Sequence, residues 1–219
     1  MELREKIEIL KHEPFFGFPP EDFERGGREQ FIYMVKAGLA PYHKVVDLGC
    51  GILRAGYWLI HFLNRGGYCG IEPHKGRLEL GLHTVMEQDV INAKNPRFDT
   101  NPGFDTSVFG ENFDFFLAYS IWTHASKPQI QVMLDSFVRD AKRDGTFLAT
   151  YLPATSEHPD YTGVNWYGTS HESDVPGCIY HQRQWIEAEC RFRGLVMREL
   201  GEDWTYRQSW LEIRRTGNG

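Results

Sequence analysis

The alternation of short apolar runs with longer segments of helical period constrains the fold of this chain more than any other feature. Apolar runs of strand length occupy residues 44–48, 68–71, 97–99, 113–119 and 146–152. Between them, apolar residues recur at helical spacing over 53–63, 75–91 and 128–141. Strand and helix in repeated succession predict a mostly parallel sheet with helices on both faces.

The beginning of the chain departs from this alternation. Apolar residues at helical spacing predict two leading helices at 2–11 and 21–38, joined by a turn-prone segment at 14–20. We expect residues 1–40 to form a helical lid. Gly26 and Gly27 interrupt the second helix, and either a close approach to a ligand or a kink between two helices would explain this pair.

The end of the chain also departs from it. Residues 153–180 show no regular period and are predicted to form a substrate-side insertion. A helix is predicted at 182–192, followed by strand-like runs at 195–200 and 209–214. The turn between these runs is too short for a crossover helix, so the last strand should pair antiparallel with its predecessor. Residues 1–219 thus predict one α/β domain, a three-layer αβα sandwich whose seven-stranded sheet is mostly parallel with an antiparallel last strand.

Composition and charge argue against several classes of protein. The 219 residues are 41% hydrophobic, enough for one full core, and no apolar run approaches the ~18 residues of a membrane span. The first residues lack the apolar core of a secretory signal, so we expect an unprocessed cytoplasmic protein with no membrane partner. The formal net charge is −6, and its residues are mixed along the chain, so no basic stripe indicates a nucleic-acid partner. Without any CxxC spacing, the cysteines predict neither a disulfide framework nor a zinc site.

The segment from Val45 to Gly51, VVDLGCG, is a buried strand that runs into a glycine-bearing turn and then a helix. Glycines at 49 and 51 let the backbone turn tightly and approach a ligand closely. A dinucleotide site would place a diphosphate beside Asp47, where like charges repel, and its fingerprint requires glycine where this chain has Arg54. A carboxylate at 47 instead attracts S-adenosylmethionine, which carries a sulfonium and an ammonium group.

A second acidic residue, Glu72, ends the next strand, Tyr68 to Glu72. A carboxylate at this place can accept both ribose hydroxyls of an adenosine ligand. Taken alone, Glu72 could also be a solvated residue at a strand end, which is the less favoured interpretation. Its occurrence one strand after Asp47 and the glycine turn favours the ligand interpretation.

The motifs VVDLGCG, GIEP, FDFFLAYSIWTH and DGTFLATY resemble those of class I, Rossmann-like S-adenosylmethionine-dependent methyltransferases. The resemblance covers residues 23–214 and implies S-adenosylmethionine as the cofactor. It departs from the family at Leu53, where many members carry a third glycine in the turn. The antiparallel last strand is also what this family implies.

The resemblance implies a set of cofactor-binding positions. The turn from Asp47 to Gly51 would hold the methionine part, with Arg54 near the ligand carboxylate, and Glu72 with the following Pro73 would hold the ribose. Residues 101–105 would lie near the adenine. The full set of positions comprises Asp47, Gly49, Cys50, Gly51, Arg54, Glu72, Pro73, Asn101, Phe104, Tyr119 and Ser120.

Histidines supply the candidates for proton transfer, which a methylated oxygen would require. His124 follows the fourth strand of the alternation, and His171 lies in the insertion; we take both as candidate catalytic residues. For His124 the alternative is a histidine that orders a turn, and for His171, as for His158 and His181, it is an ordinary surface histidine of a loop. The spacing of these histidines does not match a familiar metal site, so no metal is predicted.

The insertion is the best pointer to the acceptor. Five aromatic side chains cluster around it, and aromatic walls suit planar or apolar small molecules, although packing beneath a long loop would explain them too. These are Tyr151, Tyr161, Trp166, Tyr167 and Tyr180.

The sequence therefore predicts a methyltransferase that acts on an oxygen or nitrogen of a small, partly aromatic molecule. Methylation of a protein or a sugar is the enzymatic alternative. A regulator that binds S-adenosylmethionine without transferring its methyl group is the alternative from another class. The acceptor itself and the oligomeric state cannot be derived from the sequence.

Overall fold

A single seven-stranded sheet organises the protein, whose computed structural model describes residues 2–13 and 19–217. The strands are β1 (Val45–Leu48), β2 (Tyr68–Ile71), β3 (Arg97–Asp99), β4 (Phe113–Ala118), β5 (Ala141–Tyr151), β6 (Leu195–Glu202) and β7 (Ser209–Arg215). Their order across the sheet is β3-β2-β1-β4-β5-β7-β6. Strands β1 to β5 pair in parallel, and β7 lies between β5 and β6, antiparallel to both. The predicted sheet is confirmed, including its antiparallel last strand.

Helices cover both faces of the sheet. They are α1 (Leu3–Leu10), α2 (Phe23–Lys36), α3 (Arg54–Phe62), α4 (Lys75–Leu80), α5 (Gln88–Lys94), α6 (Lys127–Asp140) and α7 (Arg183–Phe192). One apolar core joins the sheet to α6 and α7, and a second joins it to α1 through α5. The three-layer αβα sandwich is therefore confirmed. No helix in the described ranges is long and apolar enough to cross a membrane.

Strand β1 shows why the central strands read as unbroken apolar runs. Val46 and Leu48 belong to the core beneath α6, whereas Val45 belongs to the core beneath α3. Successive side chains of a strand point to opposite faces, and both faces of this sheet are covered. Every residue of β1 is consequently buried, and Asp47 lies among them.

The helix predicted at 75–91 is wrong as a single element. Helix α4 continues into a π-helical turn at Gly81–Val85, the chain becomes extended at Met86, and α5 begins at Gln88. A side chain at Gly81 would lie 2.6 Å from the backbone carbon of Ile52, so this close contact tolerates only glycine. The buried Lys6 of α1 donates to the Val85 carbonyl at 2.6 Å, which satisfies the end of the irregular turn.

The glycine pair of α2 serves helix packing. Helix α2 runs unbroken through it, and a Cβ at Gly27 would lie 2.4 Å from the Arg54 carbonyl oxygen and 2.7 Å from Trp58 Nε1. Glycine thus lets α2 pack closely against α3, and one continuous helix replaces the two helices joined at a kink that were one of the two explanations left open. The turn predicted at 14–20 lies largely outside the described residues, since 14–18 belong to the part not described.

Candidate functional site

The carboxyl ends of β1, β2 and β4 open into a cleft with about 730 Å³ of empty space. In an open α/β sheet, ligands bind at this edge, where the strand order reverses between β1 and β4. The cleft is lined by Gln30, Asp47, Gly49, Cys50, Gly51, Ile52, Arg54, Ala55, Glu72, Arg77, Tyr119, Ser120, Ile121, His124, Trp166, Thr169 and Tyr206.

The glycine turn forms the floor of the cleft. The amides of Gly49 and Cys50 donate to the Ile71 carbonyl at 2.8 and 3.0 Å, which fixes the turn against β2. Gly49 has a φ of 74°, and a Cβ there would lie 2.0 Å from Ile121 Cδ1. Leu53, the position of the family's third glycine, has a φ of 64°. The turn thus keeps a left-handed path at Leu53, at a cost of about 1–2 kcal/mol for a residue with a side chain.

Glu72 lies beside this turn. Its Oε2 accepts from the Gly51 amide at 2.9 Å, and its Oε1 accepts from the His74 amide at 2.8 Å. Burial raises the pKa of the Glu72 carboxyl, and the two amides and the charge of Arg77 oppose this rise. The carboxylate is therefore held rigidly at the end of β2, directly beside the glycine turn.

Asp47 is the second carboxyl group of the cleft and is almost fully buried. Its Oδ2 accepts from the Tyr68 hydroxyl at 2.7 Å. Burial raises the pKa of Asp47 to about 7, opposed by the Tyr68 hydrogen bond and the charge of Arg54 and assisted by the charge of Glu72. A cation bound near Asp47 would favour the ionised carboxyl and lower its pKa.

Two guanidinium groups balance these carboxyl groups. The Arg54 guanidinium lies 5.1 Å from the ring centroid of Tyr119 and 5.8 Å from that of Tyr206, positions that suit cation–π contacts. Arg77 donates to the Thr169 carbonyl at 3.2 Å, and burial lowers its pKa. A cleft lined by two acids and two guanidinium groups fits a ligand that carries both signs of charge.

His124 lines the cleft and is hydrogen-bonded to the insertion. The Tyr167 amide donates to the His124 carbonyl at 2.9 Å, and His124 Nδ1 lies 2.9 Å from the Tyr167 carbonyl oxygen. A carbonyl oxygen only accepts, so Nδ1 carries the proton and Nε2 of the neutral ring is an acceptor. Burial lowers the pKa of His124, which keeps the ring neutral at physiological pH.

Four of the predicted site residues do not line the cleft: Pro73, Asn101, Phe104 and His171. Asn101 is held by its neighbours, since its Nδ2 donates to Asp99 at 2.6 Å and its Oδ1 accepts from the Asp105 amide at 2.7 Å. The Phe104 ring centroid lies 6.0 Å from that of Trp166 and 6.2 Å from that of His171. These three rings form an aromatic cluster in which only Trp166 borders the cleft.

A second cavity adjoins the cleft and is here named the side chamber. It contains about 780 Å³ of empty space and is lined by Ser120, His124, Leu152, Thr169, Pro176, Gly177, Cys178, Tyr206 and Gln208. Ser120, His124, Thr169 and Tyr206 line both cavities. The side chamber therefore opens at the end of β4, next to the cleft.

Several lining residues were not predicted from the sequence. Arg77 lies in the first turn after Glu72, and its place at a helix start behind an acidic strand end was a signal that could have found it. Gln30, Tyr206 and Gln208 come from α2 and from the β6–β7 connection, far from the glycine turn in the chain. Within the described ranges, no three His, Cys, Asp or Glu side chains lie together in a way that would hold a metal ion.

No family model matches the chain, but solved structures do. A magnesium protoporphyrin IX methyltransferase from Synechocystis PCC 6803, with S-adenosylhomocysteine bound, has a TM-score of 0.61 and 16% identity over 97% of this chain and 94% of that one. The CcbJ methyltransferase from Streptomyces caelestis has a TM-score of 0.65 and 16% identity over 93% of this chain and 99% of that one. This chain has the class I methyltransferase fold. The glycopeptide N-methyltransferase MtfA, complexed with S-adenosylmethionine, shares that fold, with a TM-score of 0.63 and 13% identity over 87% of this chain and 94% of that one.

Proposed function

We propose that this chain transfers a methyl group from S-adenosylmethionine to an oxygen or nitrogen of a small, partly aromatic molecule. The observation that carries the proposal is the pair of buried carboxyl groups, Asp47 and Glu72, beside a glycine turn in a cleft of the methyltransferase fold. Similar proteins act, by name, on acceptors as different as a porphyrin and a glycopeptide. The fold therefore supports the donor and leaves the acceptor to the second cavity.

The cleft's residues fit each part of this cofactor. Glu72 would accept hydrogen bonds from the ribose hydroxyls, and Asp47 would favour the positive charges of the methionine part. Arg54 would pair with the methionine carboxylate. Pro73 would support the ribose from outside the cleft, and Asn101 and Phe104 would support the adenine end, Phe104 through its stacking on Trp166. The remaining positions that would contact the cofactor are Gly49, Cys50, Gly51, Tyr119 and Ser120.

Bound S-adenosylmethionine supplies an electrophilic methyl group on a positively charged sulfur. A bond forms between the acceptor oxygen or nitrogen and the methyl carbon as the carbon–sulfur bond breaks, and the electron pair of that bond remains on sulfur. For a hydroxyl acceptor, His124 Nε2 would take the proton, because Nδ1 is already committed to the Tyr167 carbonyl. Since His124 lines both cavities, it lies where cofactor and acceptor would meet.

Both the predicted helical lid and the predicted insertion contribute residues to the walls of the cleft. Helix α2 contributes Gln30 to the cleft, and the insertion contributes Trp166 and Thr169. We infer that residues 1–40 and 153–180 exclude water from the reacting groups, which strengthens electrostatic interactions within the site. On this proposal the whole chain acts as one methyltransferase domain.

Isothermal titration with S-adenosylmethionine and with S-adenosylhomocysteine tests the donor site directly. We expect both to bind wild-type protein, and Glu72→Gln to weaken both by about tenfold through loss of a charged acceptor for the ribose. Glu187→Gln on α7, a partly exposed position that does not line the cleft, is the matched control and should bind like wild type. Folded wild-type protein that binds neither compound would contradict the proposal. Binding without turnover over a broad acceptor panel would instead favour the non-catalytic regulator.

A further inference from the structure

The side chamber differs from the cleft in its charge. The cleft carries two acids and two guanidinium groups, whereas no Asp, Glu, Lys or Arg of the described ranges lines the side chamber. Its apolar wall is formed by Leu152, Pro176, Gly177 and Cys178. A charged ligand group buried there would lose its hydration without gaining a partner of opposite charge, which is costly.

Polar groups of Ser120, Thr150 and Gln208 form a hydrogen-bonded ring at the wall of the side chamber. The Ser120 amide donates to Thr150 Oγ1 at 2.7 Å, and the Thr150 hydroxyl donates to Gln208 Oε1 at 2.6 Å. Gln208 Nε2 then donates to Ser120 Oγ at 3.0 Å.

The ring leaves hydrogen-bond donors for a ligand. Ser120 Oγ accepts a hydrogen bond from Gln208, which leaves its own hydroxyl hydrogen to donate; Thr123 Oγ1 lies at a long 3.4 Å. Gln208 Nε2 has a second hydrogen beyond the one given to Ser120. His124 also lines this end of the chamber, and its Nδ1 is already hydrogen-bonded to the Tyr167 carbonyl.

Gln208 and Ser120 are held rigidly in these positions. Asp203 Oδ1 accepts from the Gln208 amide at 3.2 Å, and the Asp203 amide donates to the Gln208 carbonyl at 2.7 Å. Ser120 itself has a φ of 59°, a left-handed conformation that a serine adopts only when its surroundings enforce it. Strain of this kind is concentrated at functional sites, and here it directs the Ser120 side chain toward Gln208.

From this geometry we infer that the side chamber binds an uncharged acceptor whose reacting hydroxyl stands next to a hydrogen-bond acceptor atom. The neighbouring atom would accept from Gln208 Nε2 or Ser120 Oγ, and the hydroxyl would donate to His124 Nε2. Gln208 thus becomes a specificity-determining residue. The inference rests on the proposed methyl transfer and narrows its acceptor from any small molecule to this class.

Three fragments test the inference by ligand-observed NMR on wild-type protein saturated with S-adenosylhomocysteine. The fragment 2-methoxyphenol carries a hydroxyl beside an ether oxygen, 4-methoxyphenol separates the two groups, and 2-hydroxybenzoate places a charged carboxylate beside the hydroxyl. We expect 2-methoxyphenol to bind, its 4-isomer to bind more weakly, and 2-hydroxybenzoate to bind at least about tenfold more weakly. Equal binding of the carboxylate, or no binding of 2-methoxyphenol, would overturn the inference.

Substitutions of Gln208 assign the effect to this side chain. Gln208→Met keeps the approximate volume but removes both donors, and Gln208→Glu adds a charge; each should weaken 2-methoxyphenol by about tenfold. Gln184→Glu, on the exposed surface of α7, adds the same charge elsewhere and should have no effect. Thermal unfolding checks that each variant is folded. If a variant is not folded, the comparison of the three fragments on wild-type protein still tests the inference. Wild-type affinity in folded Gln208→Met would overturn the inference, whereas a failure of S-adenosylhomocysteine to bind, measured before any fragment is added, would count against the proposed function itself.

Discussion

The cleft and the side chamber are neighbours, yet they are built in different ways. The cleft's central groups come from two short stretches around the ends of β1 and β2, and most of its contacts involve backbone amides or charged side chains. The side chamber draws on the end of β4, the insertion and the β6–β7 connection, and it is uncharged. The difference teaches that donor binding can be encoded locally, while acceptor binding depends on segments distant in sequence.

His124 lies on the boundary between these two regions, which is why its role is the most informative. The sequence left two roles open, a base and a residue that orders a turn. The structure shows contacts that serve the second role, since both the carbonyl and Nδ1 of His124 bind the backbone of Tyr167. These contacts also orient Nε2 as an acceptor, so the two roles are compatible, and substitution is needed to separate them.

The largest effect is expected from Gly49→Ala, which tests the cleft alone. A Cβ at this position requires either the Ile121 side chain or the turn to move, and the positive φ adds backbone strain. We expect S-adenosylmethionine binding to weaken by at least about 100-fold, as overpacking and backbone strain together imply. Isothermal titration measures the loss.

Gly110→Ala is the control for Gly49→Ala. Gly110 also has a positive φ, 65°, but a Cβ there meets no atom within 4 Å. The control should lose about 1 kcal/mol of stability through strain and keep its affinity for the cofactor. Near-normal binding by Gly49→Ala would show that the turn does not shape the donor site.

His124→Asn should produce the next largest effect. Asparagine can still donate to the Tyr167 carbonyl as Nδ1 does, but it offers no basic nitrogen. With a hydroxyl acceptor, we expect kcat to fall by about 100-fold while cofactor affinity and thermal stability change little. His124→Ala removes both functions. Wild-type kcat in the Asn variant, with a loss only in the Ala variant, would assign His124 to holding the insertion and not to proton transfer.

Asp47 should make cofactor binding depend on pH. Its pKa of about 7 lies above the ordinary value, so the carboxyl is mostly protonated below neutral pH and must release its proton to favour a bound cation. Affinity for S-adenosylmethionine should therefore rise by about tenfold between about pH 6 and pH 8. Asp47→Asn keeps the neighbouring Glu72 and Arg54 and should flatten this profile. Parallel profiles for the two proteins, measured by titration calorimetry, would rule Asp47 out as the group responsible.

His171→Asn should have the smallest effect. His171 packs against Phe104 and Trp166, its Nδ1 lies 2.6 Å from Ser170 Oγ, and it does not line the cleft. We expect kcat to change by less than about threefold, since loss of one partly buried contact is worth little at a distance from the reacting groups. Steady-state kinetics beside His124→Asn gives the comparison. An equal fall in kcat would restore His171 as a catalytic residue.

Most of the fold was predictable because its signal is local. Buried parallel strands read as apolar runs, and the short β6–β7 connection alone required antiparallel pairing. The prediction failed at 75–91, because helical spacing continues across the π-helical turn at Gly81–Val85. That turn is stabilised by contacts with Ile52 and Lys6, which the periodicity of the sequence cannot reveal.

The residues of the candidate site also divide into those that a local sequence signal predicts and those that only tertiary contacts bring together. Asp47, the glycine turn and Glu72 were found from the sequence, whereas Gln30, Arg77, Tyr206 and Gln208 were not. Sequence reasoning also placed Asn101 and Phe104 with the cofactor positions. Neither lines the cleft: Asn101 is hydrogen-bonded to Asp99, and the Phe104 ring stacks on Trp166.

By itself the sequence determined the sheet and its acidic, glycine-bearing edge. This was possible because parallel strands bring their carboxyl ends to one edge whatever the rest of the chain does. Only the tertiary structure decided what stands opposite that edge. Ser120, Thr150 and Gln208 lie far apart in the chain, and it is the packing of β4, β5 and the start of β7 that brings them into one hydrogen-bonded ring.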